Sequence, residues 1–263
     1  MHRRSLTLAA FASSAFFLPI GDAAAPTTLK YRIVQRMEQT IDASAMGQGE
    51  QKVAMGYSAY LTVVMDDSAS GRTIRGTVDS LVPDADAEPT IMSVLNRSKG
   101  ASATAFIGPD GKLVNFSEKA ADSTAAGGTA LRGLLHSLFP AVKAGAKAGD
   151  SWTDTTATSD TANGMPTSRR SIVTYKAADG ASTAGQKTMK LDVTGTYSVG
   201  GANDAGVAFE GTGTQTGTFQ RTPQGYLVDG TFNDNANMSF TVPQSPEPIP
   251  MSTVSAVTIT LLR

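Results

Sequence analysis

The sequence predicts a mainly β protein of curved antiparallel sheets, half-barrel or sandwich-like, with one amphipathic helix near its midpoint. Apolar and polar residues alternate over long stretches, proline-containing tetrapeptides separate some of them, and a single leucine-rich segment has helical spacing. Alternation with a period of two gives a strand one apolar and one polar face, which suits antiparallel sheets. Proline followed two positions later by glycine is typical of the turns that join such strands.

The chain begins with the three-part pattern of a removable signal peptide. Arg3 and Arg4 form a basic start, residues 6–20 are apolar or small, and further small residues follow. The apolar run is shorter than the roughly 20 residues of a spanning helix and is interrupted by a proline. We therefore predict a signal peptide over residues 1–23, cleaved after Ala23, and a mature protein that is periplasmic or extracellular.

Two details of the signal leave alternatives open. The pair Arg3-Arg4 resembles a twin-arginine export signal, although an ordinary basic start explains it equally simply. Cleavage after Ala25 would also satisfy the small-residue rule, but it would place a proline beside the cut. We favour the general export route and cleavage after Ala23.

Composition narrows the class of protein. The chain of 263 residues has no cysteine and a formal net charge of −1. An exported protein without disulfides must be stabilised by a buried core, and this length can form one. A near-neutral chain offers no electrostatic basis for binding nucleic acid. We predict no nucleic-acid partner and no membrane span after signal cleavage.

The alternating stretches lie in both halves of the chain. Each places apolar residues on one face of a predicted strand and charged or hydroxyl residues on the other. The apolar residues are Leu29, Tyr31, Ile33 and Met37; Tyr57, Ala59, Leu61, Val63 and Met65; Met189, Leu191, Val193, Tyr197 and Val199; and Val257, Ile259 and Leu261.

Two tetrapeptides predict hairpin turns. Residues 108–111 and 222–225 each place a proline at the second turn position, where its fixed φ fits, and a glycine at the fourth. Short apolar stretches flank both and are predicted to pair. The triplet 233–235, Asn-Asp-Asn, also has a turn signature.

Residues 129–139 are predicted to form the amphipathic helix. Thr129 is a candidate N-cap after two glycines, and Pro140 ends the segment. At helical spacing the apolar side chains form one stripe, which needs burial against another element. The stripe consists of Leu131, Leu134, Leu135, Leu138 and Phe139.

The two sides of this midpoint have a similar layout. Each contains long alternating strands, then a predicted hairpin, then a Leu-Val pair, at 113–114 and at 227–228. The sequence therefore predicts a single β-rich domain over residues 24–263, with a duplication into similar halves, about 27–142 and 150–263, as an open alternative.

Two short motifs carry a resemblance to a known group of proteins. A Met46-Gly47 step is followed by a glutamine-rich stretch, and a Gly-Asp-Ser-Trp step at 149–152 follows the short helix and Pro140. The layout resembles an uncharacterised family, a domain of unknown function, of exported bacterial β-rich proteins. The resemblance spans most of the mature chain and implies no catalytic residues.

No catalytic set is recognisable in the sequence. His136 is the one histidine beyond the signal peptide. A triad needs a base within hydrogen-bond reach of a nucleophile, and a zinc site of the usual type needs several His or Cys ligands. A position at the rim of the helical stripe explains His136 best. We predict no catalytic, metal-binding or cofactor-binding residues and no cofactor; the binding residues are unassigned.

Two groups of residues, one acidic and one of threonines, each allow a functional interpretation beside a purely structural one. Asp84, Asp86 and Glu88 alternate as calcium ligands can, but no complete EF-hand loop follows, so a solvated loop is favoured. Thr212, Thr214, Thr216 and Thr218 share one face of a predicted strand. Such ladders occur on carbohydrate-facing β surfaces, although threonine is also simply a good strand residue.

Three functional hypotheses follow. The leading one is a non-enzymatic binding protein of the cell envelope for an apolar small molecule, a lipid or a protein partner. The alternative is a structural or surface-adhesion β module with exposed threonine-rich strands. The third is a carboxylate-based hydrolase, although no pair of carboxylates stands out as acid and nucleophile.

Overall fold

The computed structural model describes residues 25–84, 98–108, 113–119, 131, 134–140, 142–143, 145–162, 165–183, 186–243, 245 and 247–262. The signal peptide over 1–23, the turn residues 109–111, the N-cap Thr129 and the acids Asp86 and Glu88 lie outside the described residues. The predictions that concern them stay predictions.

The described residues form one antiparallel sheet of eleven strands, so the predicted mainly β, antiparallel fold is confirmed. A 3-10 turn at Ser44–Met46 connects the first two strands. The strands are β1 (Thr27–Asp42), β2 (Glu50–Ser68), β3 (Gly71–Pro83), β4 (Ser102–Ile107), β5 (Leu113–Lys119), β6 (Ser151–Ala162), β7 (Met165–Thr183), β8 (Gln186–Ala202), β9 (Ala208–Arg221), β10 (Leu227–Thr241) and β11 (Ile249–Leu262).

The sheet joins two meanders, one from each half of the chain. Its order is β5-β4-β3-β2-β1-β11-β10-β9-β8-β7-β6, so consecutive strands pair within each half and the halves meet where β1 pairs with β11. At this junction Ile33 lies opposite Ile259. The sheet is a single open one, with β5 and β6 at its edges, and the chain between these two strands connects opposite edges. The duplication of the two halves stays a prediction.

One face of the sheet carries the core. We call the side that bears Tyr31 the inner face and the opposite side the outer face. Tyr31, Leu61 and Leu191 are 0% exposed, which agrees with the predicted alternation. The hydroxyl of Tyr31 donates a hydrogen bond to the carbonyl of Leu227 over 3.0 Å, from β1 to β10 across β11. Burial raises the pKa of this phenol above its ordinary range.

The helix predicted near the midpoint packs on the inner face. Residue 131 and residues 134–138 are helical, and Pro140 follows where the helix was predicted to end. Leu131, Leu135 and Leu138 are at most 1% exposed and share the core with strands of both halves. A Cβ atom on Gly76 of β3 would lie 2.7 Å from Cδ2 of Leu135. The helix therefore contacts the sheet closely at this glycine.

The predicted turn at 222–225 is confirmed, whereas the one at 233–235 is wrong. The amide of Gly225 donates to the carbonyl of Thr222 over 3.0 Å, which closes the β9–β10 hairpin. Asn233, Asp234 and Asn235 lie instead inside β10. Both asparagines are exposed on the outer face, while Asp234 is on the inner face. A polar strand in mid-sheet is possible there because one of its faces is solvated.

Candidate functional site

A cavity of about 810 Å³ lies between the inner face of the sheet and the helical segment. Its sheet side is formed mainly by strands of the second half of the chain, and its other side by residues 134–140. Most of the side chains that meet there are aliphatic or aromatic, which is typical of sites for small organic molecules. Its apolar lining includes Leu134, Phe139, Val173, Tyr175, Val193, Phe219, Phe232 and Val257.

The strand register explains the apolar floor of this cavity. Residues directly opposite in neighbouring antiparallel strands share a face. One row across the sheet runs through Gln35, Val257, Phe232, Gly217, Val193, Tyr175 and Trp152, from β1 to β6. The rings of Trp152 and Tyr175 stack with centroids 5.2 Å apart. The row thus forms a nearly continuous apolar surface.

Glycines on β9 let side chains of neighbouring strands come close to its backbone. The inner face of this strand carries Gly211, Gly213, Gln215 and Gly217, so large side chains of neighbouring strands lie across its backbone. A Cβ atom on Gly213 would be 2.3 Å from Cζ of Tyr197. The space that a side chain at 213 would fill is therefore occupied by the tyrosine ring of β8. Close approach, not phosphate binding, accounts for this glycine.

A cluster of three polar side chains lies on the same face, toward the start of β9. The hydroxyl of Tyr197 donates to Oδ1 of Asp234 over 2.7 Å. The guanidinium carbon of Arg169 is 3.9 Å from the centroid of the Tyr197 ring, in a cation–π contact. All three side chains line the cavity. We refer to them as the polar cluster; it supplies hydrogen-bonding groups to a cavity whose lining is mostly apolar.

The polar cluster changes the acidity of its phenol. Burial, and then the hydrogen bond to Asp234, raise the pKa of Tyr197 from 10.0 to about 12. The folded state thus holds this proton more tightly than the unfolded state does. The resulting stabilisation is fully present below pH 10 and is lost as the pH rises toward 12.

We therefore expect the Tyr197→Phe variant to lose less stability at alkaline pH than the unmodified protein does. The melting temperature of the unmodified protein should fall more steeply between pH 10 and 12 than that of the variant, because the variant has no proton to lose at this position. Melting curves from pH 8 to 12 measure this difference. A constant gap between the two proteins over the whole range would contradict the prediction.

The residues singled out in the sequence occupy different places. His136 is exposed on the helix, lines the cavity and lies 4.9 Å from Phe116 between ring centroids. Asp84 accepts a hydrogen bond from Nε of Arg36 over 3.2 Å. In the part of the chain that the structure describes, no three His, Asp or Glu side chains form a metal-binding group. The calcium alternative stays untested because it needs Asp86 and Glu88.

Sequence reasoning missed the polar cluster. Neither Arg169 nor Asp234 stood out, since Arg169 lies within a polar stretch of β7 and Asp234 lies between two asparagines that suggested a turn. Only the register, which brings β7, β8 and β10 side by side around the glycine-rich β9, reveals that they meet.

Comparison with known proteins did not identify a family for this chain. No protein-family model matches the chain, and no curated protein shows a significant match. The resemblance to exported bacterial β-rich proteins stays a prediction. Within the described ranges, no helix has the length and apolar character needed to cross a membrane.

Proposed function

We propose that the protein is a non-enzymatic binding protein of the cell envelope that holds an apolar small molecule or a lipid chain on its inner face. The observation that supports this is the cavity of about 810 Å³ between helix and sheet. Its volume falls in the range of small-molecule sites, roughly 300–1,000 Å³. Each 100 Å² of apolar surface that a ligand removes from water there contributes roughly 2.5 kcal/mol.

The arrangement of carboxylates supports a binding role over a hydrolytic one. Asp154 and Asp234 both line the cavity. They belong to β6 and β10, which are four strand spacings apart in the sheet order, or roughly 19 Å measured along the sheet. The acid and nucleophile of a glycosidase lie about 5–10 Å apart. Asp234 is moreover engaged by the Tyr197 hydroxyl.

A pair of neighbouring tryptophan substitutions tests the binding proposal. Ser255 lines the cavity beside Asp234, whereas Ala256 is exposed on the outer face of the same strand. We expect the unmodified protein to bind the apolar dye N-phenyl-1-naphthylamine saturably. Ser255→Trp fills the cavity and should weaken this binding at least about tenfold, while Ala256→Trp should leave it unchanged.

The dye titration is read by fluorescence, with melting curves to confirm that both variants fold. Absence of saturable dye binding by the unmodified protein would contradict the proposal. Equal weakening in both variants would mean that the dye binds elsewhere.

Export is part of this proposal and has its own test. Protein recovered outside the cytoplasm should begin at or within a few residues of Ala24 on N-terminal sequencing. Recovery of a membrane-anchored form that still begins at Met1 would contradict cleavage of the signal peptide.

A second candidate, surface adhesion, is supported by the outer face. The threonines of β9 are flanked in register by Thr194, Thr196 and Ser198 of β8 and by three exposed asparagines of β10. The ladder of one strand thus extends into an exposed array over three strands. Thr214→Arg should abolish cosedimentation with purified peptidoglycan if this array adheres to carbohydrate, and dye binding on the inner face should be unaffected.

A further inference from the structure

Arg221, the last residue of β9, is a partly buried cation with no counter-charge among the described residues. Its Nε is inaccessible to water and has no hydrogen-bond partner. None of the other described residues accepts a hydrogen bond from its guanidinium or forms an ion pair with it. Buried charges in proteins are ordinarily paired, because removing a charge from water without compensation is costly.

A neighbouring like charge makes the burial of this cation less favourable. Burial, and then the like charge of Arg72 on β3, lower the pKa of Arg221. Asp67 does not relieve it, because both of its carboxylate oxygens bind Arg72, with 3.1 Å between Nη2 and Oδ2. Arg72 also donates to the carbonyl of Gln224 in the turn beside Arg221. Asp67 thus compensates Arg72 and leaves Arg221 uncompensated.

A separate cavity of about 460 Å³ adjoins Arg221. Lys143 and Lys187 also line it, and both are exposed and able to turn toward a ligand. Asp179 is the one carboxylate among the described residues of the lining, so the cavity has an excess of positive charge. It lies about 26 Å along the paired strands from the polar cluster, since eight residues separate Met189 from Tyr197.

We infer that this cavity binds a phosphate group, with the Arg221 guanidinium as its principal contact and Lys143 and Lys187 as additional cations. The planar fork of arginine matches phosphate oxygens, and the two lysines supply the further charge that a doubly charged anion needs. The phosphate can come from a free ion or from the headgroup of a lipid. This inference does not depend on the apolar cavity.

Melting curves with inorganic phosphate test it. At constant ionic strength set with chloride, phosphate should raise the melting temperature of the purified protein saturably. Arg221→Gln should abolish this rise and should itself melt higher than the unmodified protein in phosphate-free buffer, because it removes an uncompensated charge. Lys143→Gln and Lys187→Gln, at exposed positions, should each weaken the phosphate response about tenfold.

Lys52→Gln is the matched control, because this exposed lysine lies at the start of β2 and pairs with Glu50 at 3.2 Å. It should respond to phosphate as the unmodified protein does. A response that is not saturable, or that persists in Arg221→Gln and both cavity-lysine variants, would overturn the inference.

Competition with dihexanoyl phosphatidic acid, a short-chain lipid, shows whether the site prefers the phosphate of a lipid headgroup or the free phosphate ion. Displacement of phosphate at much lower lipid concentration indicates a headgroup, and equal potency indicates the free ion.

Discussion

Leu135→Asp is expected to unfold the protein. Leu135 is 0% exposed and packs against Gly76 of β3, within a core shared by strands of both halves of the chain. An unpaired carboxylate buried there costs several kcal/mol, which is comparable with the whole net stability of a domain, roughly 5–15 kcal/mol. Circular dichroism and urea denaturation of the purified variant measure the effect.

Val254→Asp is the matched control for this substitution. Val254 is 54% exposed on β11, so the same change of an apolar side chain to aspartate buries no charge. Its effect should stay within about 1 kcal/mol. A folded Leu135→Asp variant that merely loses dye binding would show that the helix is a movable lid and not part of the core.

Leu135→Ala tests whether packing of the helix in the core also determines binding in the cavity. It should remain folded but lose about 2–5 kcal/mol of stability. Dye binding should weaken with it, because Leu134 and Phe139 of the same segment line the cavity. Loss of stability with unchanged dye affinity would separate the packing of the helix from the shape of the cavity.

The features that were predicted correctly from the sequence are those that burial imposes locally. Tyr31, Leu61 and Leu191 each belong to a series of apolar residues spaced at the period of a strand, and Leu131, Leu135 and Leu138 are spaced at that of a helix. In both cases an element with one buried face has to place its apolar residues at a fixed spacing. The turn at 222–225 was predictable for a related reason, since its proline and glycine satisfy backbone conformations of a few consecutive residues.

The pairing of distant strands could not be predicted in this way. The contact between β1 and β11 joins residues more than 200 positions apart, such as Ile33 and Ile259, and alternation does not specify which apolar face meets which. The triplet at 233–235 was misread for the same reason. Asp234 fits the inner face of a strand because Tyr197, two strands away, reaches it across Gly213, and its own neighbours in sequence contain no sign of this.

Gly213→Val is expected to destabilise the protein by about 2–4 kcal/mol. A Cβ atom at this position would lie 2.3 Å from Cζ of the Tyr197 ring and 2.5 Å from its hydroxyl oxygen. The ring would have to move, losing its hydrogen bond to Asp234 and its contact with Arg169. Thr214→Val is the matched control, because residue 214 is exposed on the outer face of the same strand, and it should change stability by less than about 0.5 kcal/mol. Urea denaturation measures both.

A double-mutant cycle with Tyr197→Ala establishes whether the ring is the obstacle. If Gly213→Val is destabilising because it collides with Tyr197, removing the ring frees the space, and valine there should then cost much less than in the unmodified protein. The coupling between the two substitutions should exceed about 1 kcal/mol in favour of the double variant. An equal effect of Gly213→Val in both backgrounds would instead place the strain in the backbone of β9.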